Sequence, residues 1–166
     1  MAIVDFDEFM APKRPDISLQ KLLKFTERRS QFPASSFSFV NRFYCLEYGT
    51  TLENLTVPLV TAKYTRMSTV KWPSGYLSKY IIRPALIIEA GEYRIWRTLS
   101  NTQIFTVKPY LAYLHHYTSC KEFMKGRLSV NLSENRSFMS NFTNKILESD
   151  IIRIWREQDD SKETSR

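Results

Sequence analysis

The sequence has few glycines and few cysteines, and it has no long apolar run. Its four glycines lie at positions 49, 75, 91 and 126. A phosphate-cradling loop needs several glycines close together, because only then can backbone amides approach the anion. Rossmann-type and Walker-type nucleotide sites are therefore not expected. No apolar run approaches 18 residues, so the sequence predicts no transmembrane helix.

The N-terminal segment and the two cysteines bear on the compartment. The first ten residues, MAIVDFDEFM, lack a basic region and carry three acids, so they are not predicted to be a secretory signal. Without such a signal, Cys45 and Cys120 are expected to be reduced thiols. The sequence thus predicts a cytoplasmic protein, or one in the host cytoplasm or virion if it is viral, that is neither secreted nor membrane-spanning.

Length and composition predict one globular domain. The chain has 166 residues, of which 43% are hydrophobic and 25% charged, close to globular averages. Residues 16–157 are expected to form the domain. Residues 1–15 are expected to be a flexible acidic-hydrophobic tail, because Pro12 and Pro15 interrupt any helix there. Residues 158–166 are polar and are expected to be disordered.

Hydrophobic periodicity predicts three helices and several strands. Asp16 or Ser18 can cap a helix that runs to about residue 29, with leucines on one face. Strand-like segments cover 37–48, 59–72, 80–99 and 104–108, and further helices are predicted at about 109–126 and 133–157. The predicted fold is α+β: a central antiparallel β-sheet region (about 37–108) flanked by an N-terminal helix and two C-terminal helices.

The segment 80–99 is expected to form a hairpin. A two-residue turn at Ala90-Gly91 would pair Ile88 with Tyr93. Alanine is unfavourable where a turn needs positive φ, so a longer loop fits equally well.

Positive charge is concentrated in the middle of the chain. The net charge is +7, and residues 61–130 hold eleven bases and three acids. The bases alternate with aromatic residues, and this combination suits phosphate contacts and base stacking. Two other interpretations stay open: aromatic core residues beneath a solvated basic face, or attraction to an anionic membrane. The candidate residues for nucleic-acid or anion binding are Lys63, Arg66, Lys71, Trp72, Lys79, Arg94, Trp96 and Arg97.

Catalytic and metal-binding motifs are weak. His116 and Cys120 could face one metal ion on the predicted helix, but His115 would point about 100° away from His116. Either histidine could act as a general base, but the sequence supplies no partner. Glu89 and Glu92 are interpreted as a solvated hairpin tip. The sequence therefore predicts no metal, no cofactor and no enzymatic activity.

The favoured function is that of a basic binding or assembly protein. It would contact nucleic acid, with RNA favoured, or an anionic membrane surface, and its composition is similar to that of viral matrix-type and nucleic-acid-binding structural proteins. The alternative is a protein-interaction adaptor that acts through its N-terminal segment and C-terminal helix. Contacts with a protein partner, or self-association, are assigned to Phe6, Phe9, Ile151 and Trp155.

Overall fold

The computed structural model describes residues 1–28, 30–49, 59–70, 72–121, 132–134, 147–150, 152–154 and 157. Within these residues β-strands predominate. In chain order the elements are β1 (Ala2–Ile3), β2 (Glu8–Pro12), α1 (Leu19–Glu27), β3 (Ala34–Phe39), β4 (Asn41–Cys45), α2 (Val60–Lys63), β5 (Arg66–Ser68), β6 (Lys79–Ile82), β7 (Ile87–Ala90), β8 (Ile95–Thr98), β9 (Gln103–Val107), β10 (Ala112–Thr118) and β11 (Leu132–Glu134).

Two main sheets organise the described part of the chain. The first has the strand order β1-β6-β3-β9, in which only the β3–β9 pair is parallel. The second has the order β2-β10-β4, with β10 antiparallel to β2 and parallel to β4. The pairs β5–β11 and β7–β8 form two smaller sheets. Because β1 and β2 belong to different main sheets, the turn between them lies where the two sheets meet.

The sequence of β3, Ala-Ser-Ser-Phe-Ser-Phe, explains the two faces of the first sheet. Successive side chains of a strand point to opposite faces, so Phe37 and Phe39 share one face while Ser36 and Ser38 share the other. The phenylalanines pack with Leu22 of α1 in the main hydrophobic core. The opposite face of β3 therefore carries hydroxyl groups.

The predicted N-terminal helix is confirmed as α1. The Ser18 side chain accepts a hydrogen bond from the backbone N–H of Lys21, as an N-cap should. At the other end of α1, Glu27 accepts two hydrogen bonds from the Arg83 guanidinium and one from the backbone N–H of Ala34. These contacts hold α1 against the first sheet.

The predicted fold class is wrong, because the described residues are mostly β-structure and α1 is their one substantial helix. The segment predicted as a helix at 109–126 contains β10 instead. Its residues Ala112 to His115 are all buried, as expected for a strand between two others. Pro109 precedes β10 in a turn. The predicted helix at 133–157 falls mostly outside the described residues.

The first fifteen residues were predicted to be a flexible tail, but they supply β1 and β2. Glu8 is buried, and the Phe9 ring packs edge-on against Tyr117 with centroids 5.9 Å apart. Pairing with β6 and β10 thus orders this segment. The predicted tail at 158–166 lies outside the described residues.

The β7–β8 hairpin has the longer loop that the sequence left open. Ala90 pairs with Ile95, so the two-residue turn and its pairing of Ile88 with Tyr93 are wrong. A side chain at Gly91 would place its Cβ 2.7 Å from the Trp96 ring, so any larger residue there would require that ring to shift. The predicted strand at 104–108 is confirmed as β9.

The expectation of reduced thiols is also wrong. Cys45 and Cys120 form a disulfide that joins the end of β4 to the residues just after β10. The Glu47 carboxylate supports this junction by accepting a hydrogen bond from the backbone N–H of Cys120 at 3.0 Å. None of the helices in the described residues is long and apolar enough to cross a membrane.

Candidate functional site

The turn between β1 and β2 brings three carboxylates to the junction of the main sheets. The Glu8 N–H donates to the Asp5 carbonyl at 3.2 Å, and the Asp5 N–H donates to Glu8 Oε2 at 2.9 Å. The Tyr117 N–H donates to the Asp7 carbonyl at 3.0 Å, which ties the turn to β10. Phe6 at the tip is 97% exposed. The carboxylates of Asp5 and Asp7 thus project from an anchored backbone.

A buried lysine stands behind this turn. Lys79 Nζ lies 3.0 Å from Asp5 Oδ2, 3.1 Å from Glu92 Oε1 and 3.8 Å from Glu8 Oε2. It also lies 4.6 Å from the centroid of the Tyr93 ring. Burial acts to lower the pKa of Lys79, but hydrogen bonds to Asp5 and Glu92 outweigh it and hold the pKa above its ordinary value. The ammonium therefore stays charged and connects the turn to the β7–β8 loop.

Glu8 is the buried carboxylate of the group. Its side chain is only 1% exposed. Burial raises the pKa of Glu8 to about 7, although the hydrogen bond from Asp5 and the charge of Lys79 oppose the rise. Near neutral pH, both the protonated and the ionised form of Glu8 are therefore populated.

His116 on β10 completes the group. Its Nε2 lies 3.5 Å from Asp7 Oδ2, and its Nδ1 lies 3.3 Å from Glu8 Oε1 and 3.2 Å from Asn41 Nδ2. Burial lowers the pKa of His116, while the charges of Asp7 and Asp5 act in the opposite direction. The neutral imidazole that results is the form that binds metal ions.

Asp5, Asp7 and His116 are the more exposed groups of this junction; Asp7 is in contact with His116, whereas the Asp5 carboxylate is paired with Lys79. Their side chains are 51%, 25% and 16% exposed, whereas Glu8 and Lys79 lie beneath them. Carboxylate oxygens and an imidazole nitrogen are suitable ligands for ions such as Mg²⁺ and Mn²⁺.

One group of three potential metal ligands lies close together within the described residues, but it cannot bind a metal ion through its sulfurs. Donor atoms of Cys45, Glu47 and Cys120 lie within 4.8 Å of one another. The two sulfurs are bonded to each other, so neither is a thiolate ligand. The alternative in which His116 and Cys120 face one metal ion on a helix is excluded, because Cys120 is disulfide-bonded and His116 lies on a strand.

Two of the residues predicted to bind nucleic acid or anions are buried. Trp72 is 9% exposed and packs against the rings of Phe43 and Tyr76. Lys79 is 1% exposed and is already paired with carboxylates. Neither side chain can contact an external polymer, because each is enclosed by other parts of the chain.

The other predicted residues lie in separate elements. Arg94, Trp96 and Arg97 are exposed in the β7–β8 hairpin. Arg66 is exposed on β5 and donates to the Tyr48 carbonyl, and Lys63 ends α2.

The residues predicted to contact protein partners are only partly described. Phe6 and Phe9 are exposed to 97% and 42%. Ile151 and Trp155 lie outside the described residues, as does Lys71, which was predicted to bind nucleic acid or anions. Contacts with a protein partner through the terminal segments stay a prediction.

Sequence reasoning missed most of the junction. Asp5, Asp7 and Glu8 were interpreted only as charges of a tail, and His116 lacked a visible partner. One signal was present: three carboxylates within four residues, directly before a short strand-forming segment. Glu92 was interpreted as a solvated loop residue, but it pairs with Lys79.

Comparison with known proteins identifies the family. Residues 1–158 match the family model described as Glycosyltransferase family 92. No curated protein sequence matches the chain significantly. The family match overturns three predictions: the nucleic-acid- or membrane-binding structural protein, the adaptor, and the absence of enzymatic activity, because this family domain is that of an enzyme. With 158 of its residues covered, the chain belongs to glycosyltransferase family 92.

Proposed function

We propose that Asp5, Asp7 and His116 form the part of a glycosyltransferase active site that holds the phosphate-bearing leaving group of an activated sugar. In glycosyl transfer the bond from the anomeric carbon to the leaving-group oxygen breaks, and a bond to an acceptor hydroxyl oxygen forms. The proton of that hydroxyl passes to a base. The observation that carries the proposal is the contact of Asp7 with His116 beside the Asp5–Lys79 ion pair, in a member of this family.

The ligand types support a divalent cation at this place. A cation held by Asp5, Asp7 and His116 would neutralise negative charge on the departing phosphate. Magnesium and similar ions typically bind through one or two carboxylates and the phosphates of a substrate, which agrees with this small set of side chains.

The buried residues of the junction act as positioning residues. Glu8 contacts His116 Nδ1 and accepts from the Asp5 N–H, so it orients the imidazole and the turn together. Lys79 fixes the Asp5 carboxylate from behind. Such support keeps the ligands in place before a substrate arrives.

The disulfide also bears on the compartment in which the protein folds. The sequence suggested the cytoplasm, where thiols are kept reduced. The Cys45–Cys120 disulfide supports folding in an oxidising compartment instead.

Titration of Mn²⁺ tests the proposal directly. Calorimetry is run on the chain alone and with UDP or GDP as the probe, for the native protein, Asp7→Asn and His116→Gln. We expect each substitution to weaken Mn²⁺ binding at least tenfold, or by about 1.4 kcal/mol. The matched control is Asp16→Asn, because Asp16 is an exposed aspartate paired with Arg14. Equal Mn²⁺ affinity in the native protein and both variants would overturn the proposal.

A further inference from the structure

The first main sheet has a hydroxyl-bearing face that its core does not use. The register pairs Ser38 with Tyr80 on β6 and with Thr106 on β9, so these three side chains share a face. Ser36 lies two residues before Ser38 and joins them. The opposite face, with Phe37, packs in the hydrophobic core.

A cleft lies over this face. Its volume is about 140 Å³, and Ser36, Ser38, Tyr80 and Thr106 line it together with residues of the β7–β8 loop. A protein cavity of about 150 Å³ can hold one benzene ring, so the cleft has room for about one six-membered ring. That space suits a single small ring rather than an extended chain.

Two hydroxyl groups that line the cleft have no partner within the described residues. Ser36 Oγ and Tyr80 OH are buried atoms without a hydrogen bond, and the two residues are 0% and 1% exposed. Buried polar groups are nearly always hydrogen-bonded, because leaving one unpaired costs free energy. At the edge of the cleft, by contrast, Ser74 Oγ and Thr106 Oγ1 lie 3.1 Å apart and satisfy each other. The unpaired hydroxyls therefore point to a ligand with hydroxyl groups of its own.

The cleft is adjacent to the proposed leaving-group site. Tyr93 lines the cleft, and its ring lies 4.6 Å from Lys79 Nζ, which in turn contacts Asp5. Arg94 is the one charged residue among those that line the cleft. The carboxylates of the junction suit a cation and its phosphate, whereas the cleft suits a neutral molecule with several hydroxyls.

We propose that this cleft binds one neutral monosaccharide ring of the acceptor, with Ser36 and Tyr80 hydrogen-bonding its hydroxyls. The inference rests on the proposed glycosyl transfer, because it makes the ring the acceptor. Ser36 and Tyr80 then determine acceptor affinity, and Asp7 and His116 do not.

The experiment measures sugar binding by saturation-transfer NMR on the full chain. The probes are the methyl glycosides of galactose, glucose, N-acetylglucosamine, mannose and fucose. We expect at least one to bind, and the double variant Ser36→Ala/Tyr80→Phe to bind it at least fivefold more weakly. The Tm of this variant should not fall, because the hydroxyls that it lacks have no partner inside the protein.

Two matched controls separate binding from stability. Tyr117→Phe removes another buried, unpaired hydroxyl that lies outside the cleft, and should leave sugar binding unchanged. Ser35→Ala removes a hydroxyl that donates to the Gln103 carbonyl at 3.1 Å. It should lower the Tm and leave sugar binding unchanged.

The outcomes distinguish this inference from the proposed function. If Asp7→Asn weakens Mn²⁺ binding but no probe binds, or the double variant binds sugar like the native protein, the cleft is not a sugar site and the proposed function stands. If the double variant loses as much Tm as Ser35→Ala, its hydroxyls have internal partners and the inference fails. Hydroxyl-dependent sugar binding together with unchanged Mn²⁺ binding would overturn the proposed function and keep the cleft as a sugar site.

Discussion

Replacing Lys79 by methionine tests how the junction of the sheets neutralises its negative charge. The ammonium faces the carboxylates of Asp5, Glu8 and Glu92. Removing one partner of a buried ion pair typically costs about 3–5 kcal/mol, because a charge is left buried and unpaired. We expect a smaller loss here, because the buried carboxylate can take a proton.

The magnitude follows from the pKa of Glu8, which is about 7 in the fold against 4.5 in a free side chain. One pKa unit corresponds to about 1.4 kcal/mol, so keeping Glu8 ionised in the fold already costs about 3 kcal/mol. Protonating it at pH 7.5 would cost about 4 kcal/mol. The share of Glu8 in the loss is therefore only about 1 kcal/mol, the difference between these costs. Asp5 and Glu92 are half exposed, and water replaces the lysine for both. The total should stay below about 2 kcal/mol.

The assay is urea unfolding of the native protein and Lys79→Met at pH 7.5 and pH 5.5, with chelator present. Because the folded-state pKa of Glu8 is raised, the stability that comes with its protonation is present at low pH and is lost as pH rises through about 7. The effect of Lys79→Met should therefore shrink at pH 5.5. Lys21→Met, at an exposed position on α1, serves as the control and should change stability by less than about 0.5 kcal/mol. A loss of about 4 kcal/mol that is equal at both pH values would refute the reasoning, since it would mean that Glu8 stays ionised.

Two further predictions concern the second sheet. Replacing Cys45 and Cys120 by alanine opens a cross-link between residues 75 apart, which should lower the free energy of unfolding by about 4 kcal/mol in urea titrations. A loss under about 1 kcal/mol would contradict the disulfide. Burial lowers the pKa of His115 to about 3. Below about pH 6.5 the unfolded chain therefore binds a proton at His115 that the folded protein does not bind, and the free energy of unfolding should fall. The loss of unfolding free energy from His115 is about 2 kcal/mol at pH 5. His115→Asn should remove that share from the difference in unfolding free energy between pH 7 and pH 5, and an unchanged difference would exclude His115 as its source.

Elements defined by neighbouring residues could be predicted from the sequence. The Ser18 cap and the leucines at 19, 22 and 23 specify α1 without help from the rest of the chain. The alternation of serine and phenylalanine in β3 likewise indicates a strand with one hydroxyl-bearing face and one aromatic face. These patterns extend over only a few neighbouring residues, and hydrophobic periodicity can predict elements that are specified over that range.

Elements defined by distant partners could not be predicted. In β10, His116 pairs with Glu8 on one side and Phe43 on the other, both more than 70 residues away along the chain. Pro109 suits the first turn of a helix and also a turn that precedes a strand. A local pattern cannot choose between these, and the burial of β10 on both faces decides in favour of the strand. The disulfide escaped prediction in the same way, because only the parallel pairing of β4 with β10 brings Cys45 to Cys120.

The candidate site shows why basic composition misled the functional interpretation. Lys79 was selected as one of many exposed bases, yet it is buried and neutralises acids of the same chain. Two of the acids that it contacts, Asp5 and Glu8, lie more than 70 residues earlier in the chain, in a segment that was interpreted as a tail. Counting charges along the chain could not reveal a pairing between residues 5 and 79.

The contacts that complete the second sheet are also those that place His116. Pairing with β2 sets the imidazole beside Asp7 and Glu8, and pairing with β4 sets it beside Asn41. The disulfide, four residues beyond His116, joins the end of β4 to the residues just after β10. Any displacement of β10 would therefore move the imidazole away from the carboxylates of the turn. Because the proposed leaving-group site draws on both β1–β2 and β10, it lies where the two main sheets meet. Tyr93, which lines the cleft, contacts Lys79 there. The proposed donor and acceptor sites are therefore adjacent, as transfer from a charged donor to a neutral acceptor would require.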